Sequence, residues 1–188
     1  MKIKKLFETK WLKIYQGILT NKKGKEIKWD FVSRKNNPIE DKNKPDAVVI
    51  IPIVRRPEGN LICITKEFRA PLNDYEWGFP AGLIDEGENF LTSIYRELKE
   101  ETGLDCISVT QISHPIYSSA GMTDESVIMA FANCEGEISQ QYQEKSEDIE
   151  VFLMSVEDIK KLIFDSNKKI GGKAWGILYH YYSIGRID

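Results

Sequence analysis

The stretch GLIDEGENFLTSIYRELKEETGL, Gly82 to Leu104, sets an acid-rich run beside an apolar repeat. Phe90, Leu91, Ile94, Tyr95 and Leu98 recur at steps of three and four residues. That period predicts an amphipathic helix over 88–102, with Gly103 as its stop. Helical spacing puts Glu97, Glu100 and Glu101 at i, i+3 and i+4 on one face, next to the apolar face set by Ile94 and Leu98. Like charges at that spacing repel. A solvated acidic face is the usual fate of such glutamates; the alternative is that they converge on hard divalent cations, which prefer oxygen ligands. Glu88, two turns before Arg96, offers that arginine an ion pair that would orient the helix against the preceding loop. In that loop, FPAGLIDEGE, Pro80 stiffens the chain, while Gly82 and Gly87 permit tight turns and close backbone approach.

Outward from this segment, residues 11–20 and 26–34 are rich in aromatic and β-branched types and flank NKKGK, so they read as an N-terminal hairpin. The polar stretch 35–45 reads as a linker. DAVVIIPIV and NLICITKEF flank RRPEG as a second hairpin, whose first strand is apolar on both faces and hence central. Strands are expected at 106–113, 126–134 and 149–154. SVEDIKKLIF then starts a short helix, with Ser155 as cap and Asp158 three residues on. KAWGILYHYYSI reads as a last helix that packs its aromatics. These elements predict an α+β fold with helices covering a mixed sheet. The expected organisation is an N-terminal β-hairpin element, 1–44, before a main domain, 45–188.

The 188 residues are about one domain's worth with a small appended element, enough to bury a core without covalent staples. A net charge of −3, with 29% charged residues, shows no bias that would recruit nucleic acid. Cys63, Cys106 and Cys134 have no metal-like spacing and read as buried small hydrophobes in a reducing compartment. The basic start at Met1–Lys5 is followed by no apolar leader segment, and the longest apolar run, 47–54, is too short to span a bilayer. A cytoplasmic protein without a membrane partner is expected. His114 and His180 match no motif and read as structural.

Gly82, Glu88, Arg96, Glu97, Leu98, Glu100, Glu101, Gly103 and Leu104 fit every defined position of the pattern G-x5-E-x7-R-E-U-x-E-E-x-G-U, with U aliphatic. The segment thus resembles the Nudix box. The resemblance implies a Nudix α/β/α sandwich and an enzyme that cleaves a nucleoside diphosphate linked to another moiety. It also implies Glu97 and Glu101 as main metal ligands, Glu100 as an additional one and the Ala81 carbonyl facing a metal. Glu88 and Arg96 would shape the site. Mg²⁺ is the implied cofactor, and Mn²⁺ suits the same oxygen-lined site.

The flanks resemble the ADP-ribose pyrophosphatase branch. EFRAPLNDYEWGFPAGLIDEGE, 67–88, places Arg69 where that branch has an arginine on the substrate diphosphate, and Leu83 falls among its substrate-lining positions. Trp11 and Trp29 resemble the aromatics with which dimeric members sandwich adenine, and Arg34 takes the place of another substrate-contacting arginine. YSSAGMTDES, 117–126, resembles the segment after the box that lines the substrate, with Gly121 in it. In YQEKSEDIEVFLM, Glu147 aligns best with the branch's water-activating glutamate, and Glu144 is the reserve. The sequence departs from the branch at Ala120, where a proline is expected, and at Gly78, where glutamate is more common. The resemblance therefore implies hydrolysis of ADP-ribose to AMP and ribose 5-phosphate by a homodimer. The departures leave other nucleoside diphosphate sugars, such as ADP-glucose or GDP-mannose, open.

Overall fold

A computed structural model describes residues 1–41, 43–145 and 147–187. In chain order the elements are β1 (Lys2–Glu8), β2 (Lys13–Thr20), β3 (Glu26–Ser33), β4 (Ala47–Val54), β5 (Leu61–Arg69), β6 (Asp74–Gly78), β7 (Ala81–Leu83), α1 (Phe90–Thr102), β8 (Asp105–Ile112), β9 (Ile116–Tyr117), β10 (Ser126–Glu135), β11 (Ile149–Met154), α2 (Val156–Ile163), β12 (Lys169–Ile170) and α3 (Gly172–Ile184). A 3₁₀ turn, Ala70–Leu72, follows β5. No helix among the described residues is long and apolar enough to cross a membrane.

The chain divides into two compact units, one of Met1–Ala47 with His114–Ile128, the other of Val48–Ser113 with Met129–Asp188. In the first, β1, β2 and β3 form an antiparallel sheet. The expected hairpin is its β2–β3 half, and β1 is an addition to it. The polar stretch after β3 starts anchored: buried Lys35 pairs with Asp46 at 3.1 Å and with Asp124 at 3.7 Å. The Ser33 hydroxyl donates to Asp124 at 3.1 Å, and Val32 bridges Thr123, so the 117–126 segment is held against β3.

The second unit is built on a sheet of order β12-β6-β5-β4-β10-β8, with β11 along β5 and β7 along β4. It is mixed, since β12 runs parallel to β6 while β5 is antiparallel to β4, β6 and β11. β4 is buried from Val48 through Val54, as its unbroken apolar sequence requires of a strand covered on both faces. Cys63 and Cys134 are buried as expected, whereas Cys106 is only half-buried.

The helix α1 starts on Asn89, whose side chain accepts from the Leu91 and Thr92 amides, and ends on Gly103 at φ 77°. Its inward face differs from the expected apolar stripe. Ile94 and Leu98 are fully buried, each stabilising the fold by roughly 1.5–3 kcal/mol. The other inward places go to Ser93, Glu97, Glu101 and Thr102, while Leu91 and Tyr95 lie exposed. Helix α2 has the expected capping box between Ser155 and Asp158. Helix α3 turns Ala174, Leu178 and Tyr181 inward. Trp175 and Tyr179, expected to pack inside, instead stack on each other at 5.0 Å while remaining exposed.

Candidate active site

In the second unit, the last turns of α1 press two carboxylates against the backbone of β7. Glu97 is 7% exposed and Glu101 4%. The Ala81 amide donates to Glu101 Oε2 at 3.1 Å. Gly82 leaves the space that Glu97 fills, because a Cβ built at Gly82 would lie 1.9 Å from the Glu97 carboxyl carbon. Burial raises the pKa of both groups, and the neighbouring carboxylates Glu100 and Glu147 for Glu97, and Glu67, Glu97 and Glu147 for Glu101, push in the same direction.

Arg96 organises the approach to this pair. It grips Glu88 with two hydrogen bonds, Nε to Oε1 at 3.2 Å and Nη2 to Oε2 at 2.9 Å, and Nη2 also donates to the Leu83 carbonyl at 3.1 Å. Its Nη1 lies between Glu97 at 2.7 Å and Glu100 at 3.1 Å. Glu88 also accepts from the Ser93 hydroxyl at 2.7 Å, and these donors hold its carboxyl down at about 2. Helix, loop and strand β7 are thereby tied together through one guanidinium.

Among the described residues, no three acidic, histidine or cysteine side chains are gathered tightly enough to hold a metal ion as they stand. Arg96 stands between Glu97 and Glu100 and neutralises both. The donor set nevertheless fits a hard dication. It is all oxygen, and of its two buried carboxylates Glu97 is paired with Arg96.

Glu147, in the loop before β11, lies close enough to raise the carboxyls of Glu97 and Glu101, while its own Oε2 accepts from the Glu144 amide at 3.0 Å. Gln143 anchors that loop, donating to the Glu101 carbonyl at 2.9 Å and the Ile149 carbonyl at 3.1 Å. Arg69, at the end of β5, pairs with Glu67 at 2.6 Å and with Glu76 at 3.6 Å. Glu67 is a carboxylate that sequence reasoning missed. Burial raises it, and it neighbours Arg69, Glu147 and Glu101. The period-two rule would have found it, since Glu67 shares a strand face with Arg69.

In the first unit, Trp29 Nε1 donates to the Gly121 carbonyl at 3.2 Å, and Arg34 pairs with Glu125 at 3.1 Å. Trp29 stays 53% exposed and lines an apolar cleft of about 440 Å³ with Phe31, Tyr117 and Ala120. Trp11 does not join that cleft. It is 63% exposed, with the Lys10 ammonium 4.3 Å from its ring centre.

Comparison with known proteins shows the family of the chain. The NUDIX domain model matches residues 44–171. An ADP-ribose pyrophosphatase of Bacillus subtilis is 32% identical over 137 residues, covering 72% of this chain and 71% of that protein. An ADP-ribose pyrophosphatase of Saccharomyces cerevisiae is 30% identical over 129 residues, covering 68% of this chain; the chain spans only 54% of the yeast protein's length. A crystal structure of an ADP compounds hydrolase superposes with a TM-score of 0.70 at 16% identity, covering 100% of this chain and 95% of that one. With the box residues assembled around β7 and α1 and the family match spanning most of its length, the chain belongs to the Nudix family.

Proposed function

We propose that the protein hydrolyses the diphosphate bond of ADP-ribose, with Mg²⁺, to AMP and ribose 5-phosphate. The observation that carries this reading is the pair of buried carboxylates, Glu97 and Glu101, packed on the Ala81–Gly82 backbone. Two desolvated acids there are costly in a protein that has no cation to bind. Nudix relatives that act on ADP-ribose supply the substrate class.

Glu97, Glu101 and Glu100, with the Ala81 carbonyl, would hold the metal, which when bound neutralises phosphate charge and makes water a better nucleophile. Arg96 and Glu88 keep α1 and its preceding loop in register, so the carboxylates reach the same place. Glu147 accepts the proton of the attacking water. Arg69 presents its guanidinium to the diphosphate oxygens, with Glu67 and Glu76 fixing its rotamer. Trp29 offers a flat face to the adenine, assisted by Trp11, Arg34 and the Gly121 backbone. Leu83 lines the substrate beside the box.

The N-terminal element, 1–44, serves base binding and dimerisation in this reading. Exposed Leu6, Phe7, Trp11, Leu12 and Ile14 support a homodimer that covers them. Sedimentation checks this, and a fully active monomer at nanomolar concentration would refute it. The compartment we propose is the cytoplasm, on the strength of the free thiols.

A second reading, hydrolysis of another nucleoside diphosphate sugar, is favoured by Ala120. Where the branch has a proline, a small methyl side chain lines the Trp29 cleft. Product chromatography with ADP-ribose, ADP-glucose and GDP-mannose, ranked by kcat/KM, separates the two. Absence of AMP from ADP-ribose, beside rapid turnover of another sugar nucleotide, would overturn the first reading.

A further inference from the structure

Three cysteines that look isolated in sequence are not isolated in the fold. In the antiparallel pairing of β10 with β8, Cys134 stands directly opposite Cys106. Opposed residues in such a ladder have Cα atoms roughly 4.5–5.5 Å apart. A disulfide spans roughly 4.4–6.8 Å, so this pair can close with little backbone movement. The register shift between Asn133 and Cys134 adds local freedom at that point of the ladder.

The two sulfurs have unequal surroundings. Cys106 is half-buried on β8, the strand at the end of the sheet order. The neighbouring Cys134, Tyr95 hydroxyl and Ser108 amide lower the Cys106 thiol below the usual range, against the opposing effect of burial. Cys134 is 2% exposed, its thiol donates to the Ala132 carbonyl at 3.5 Å, and the adjacent Cys106 together with burial pushes it up. Cys63 is fully buried and stands opposite Leu153 in the β5–β11 pairing, so peroxide does not reach it and no cysteine faces it there.

We propose that Cys106 and Cys134 form a reactive dithiol site, in which Cys106 reacts with hydroperoxides and Cys134 resolves the product to an intramolecular disulfide. The Cys106 thiolate attacks one peroxide oxygen, the O–O bond breaks, and a proton from solvent completes the water or alcohol that leaves, giving a sulfenic acid. The Cys134 sulfur then attacks the Cys106 sulfur. The S–S bond forms as the S–O bond breaks, and the departing hydroxyl takes the Cys134 proton and leaves as water. The protein loses two electrons and two protons, and the peroxide is reduced. None of this depends on the hydrolytic reaction.

The test uses the whole reduced protein, hydrogen peroxide and mass spectrometry. The expected result is a loss of two hydrogens in the intact mass, a Cys106–Cys134 cross-linked peptide, restoration by dithiothreitol, and Cys63 still alkylatable after unfolding. Cys134→Ser should stop at a Cys106 sulfenic acid, trapped by dimedone. If that variant does not fold, the peptide map of the unsubstituted protein decides alone. Oxidation of Cys63 ahead of Cys106, a Cys106 sulfinic acid with Cys134 still a thiol, or a disulfide between two chains would overturn the proposal.

Discussion

The Glu97 carboxylate occupies the space where Gly82 lacks a side chain, within 1.9 Å of any Cβ placed there. No flexible shift of a few tenths of an ångström accommodates such an overlap, so Gly82→Ala must expel the carboxylate from β7. The atoms met are the end of the flexible Glu97 side chain, so the carboxylate moves away at little cost to the fold. We expect kcat to fall at least about 10²-fold, on the scale of losing one preorganised charged group, while the protein remains folded. Retention of half or more of the turnover would show that Glu97 does not work from this place.

Glu101→Gln separates stability from function. The amide oxygen can still accept from Ala81, while one buried negative charge disappears beside Glu67, Glu97 and Glu147. Without metal, the variant should melt above the unsubstituted protein. If Mg²⁺ binds as proposed, its stabilising effect should be smaller in the variant than in the unsubstituted protein, and kcat should drop at least about 10²-fold. Calorimetry with and without the ion measures the first two effects. A variant still stabilised fully by Mg²⁺ would remove Glu101 from the metal site.

The Glu88–Arg96 pair gives a signed pH dependence. Glu88 is held at about 2 against an ordinary value of 4.5, its largest cause being Arg96, then Ser93. A depressed carboxyl contributes its full stability above pH 4.5 and loses it as pH falls from 4.5 towards 2. Glu88→Gln removes that titration, so its urea midpoint should fall less steeply than the unsubstituted protein's across this window. Parallel curves for the two proteins would contradict the assignment.

Arg69 tests whether the diphosphate is read by a fork. With Glu67 and Glu76 on either side, the guanidinium is held before substrate arrives. Arg69→Ala should raise KM about tenfold or more, the scale of losing one charge-assisted hydrogen bond. Arg69→Lys should recover only part, because an ammonium cannot bond two oxygens in one plane. Equal activity of the lysine and arginine forms would leave only a point charge to explain.

What could be read from the sequence follows from period and length. β4, β5, β11, α1 and α2 are long or strongly patterned, and the Ser155 box marks its helix start unaided. β1 carries an exposed, lysine-rich sequence with no apolar alternation, and β7 has only three residues, so neither leaves a pattern. The box named Glu97 and Glu101, but their burial depends on Gly82 and on which face α1 turns to the sheet. Gln143 and the Cys106–Cys134 pair become visible only once β5, β8, β10 and β11 are in register. Periodicity within one segment carries no record of partners brought together from distant ones.

Trp29 allows the base-binding proposal to be tested apart from the chemistry. Its indole lines the cleft with Phe31 and Tyr117 and is steadied by the bond from Nε1 to the Gly121 carbonyl. Stacking on an aromatic contributes about 1–3 kcal/mol per base, so Trp29→Ala should raise KM for ADP-ribose by roughly 5- to 150-fold while kcat stays within a factor of about two. Trp29→Phe keeps a π-face but loses the Gly121 bond, and should lie between the two. The same substitution should leave hydrolysis of a diphosphate that lacks a base unchanged, because Arg69 and the box carboxylates do not depend on it. A Trp29→Ala enzyme with unaltered KM for ADP-ribose would move adenine recognition elsewhere, with exposed Trp11 the next residue to substitute.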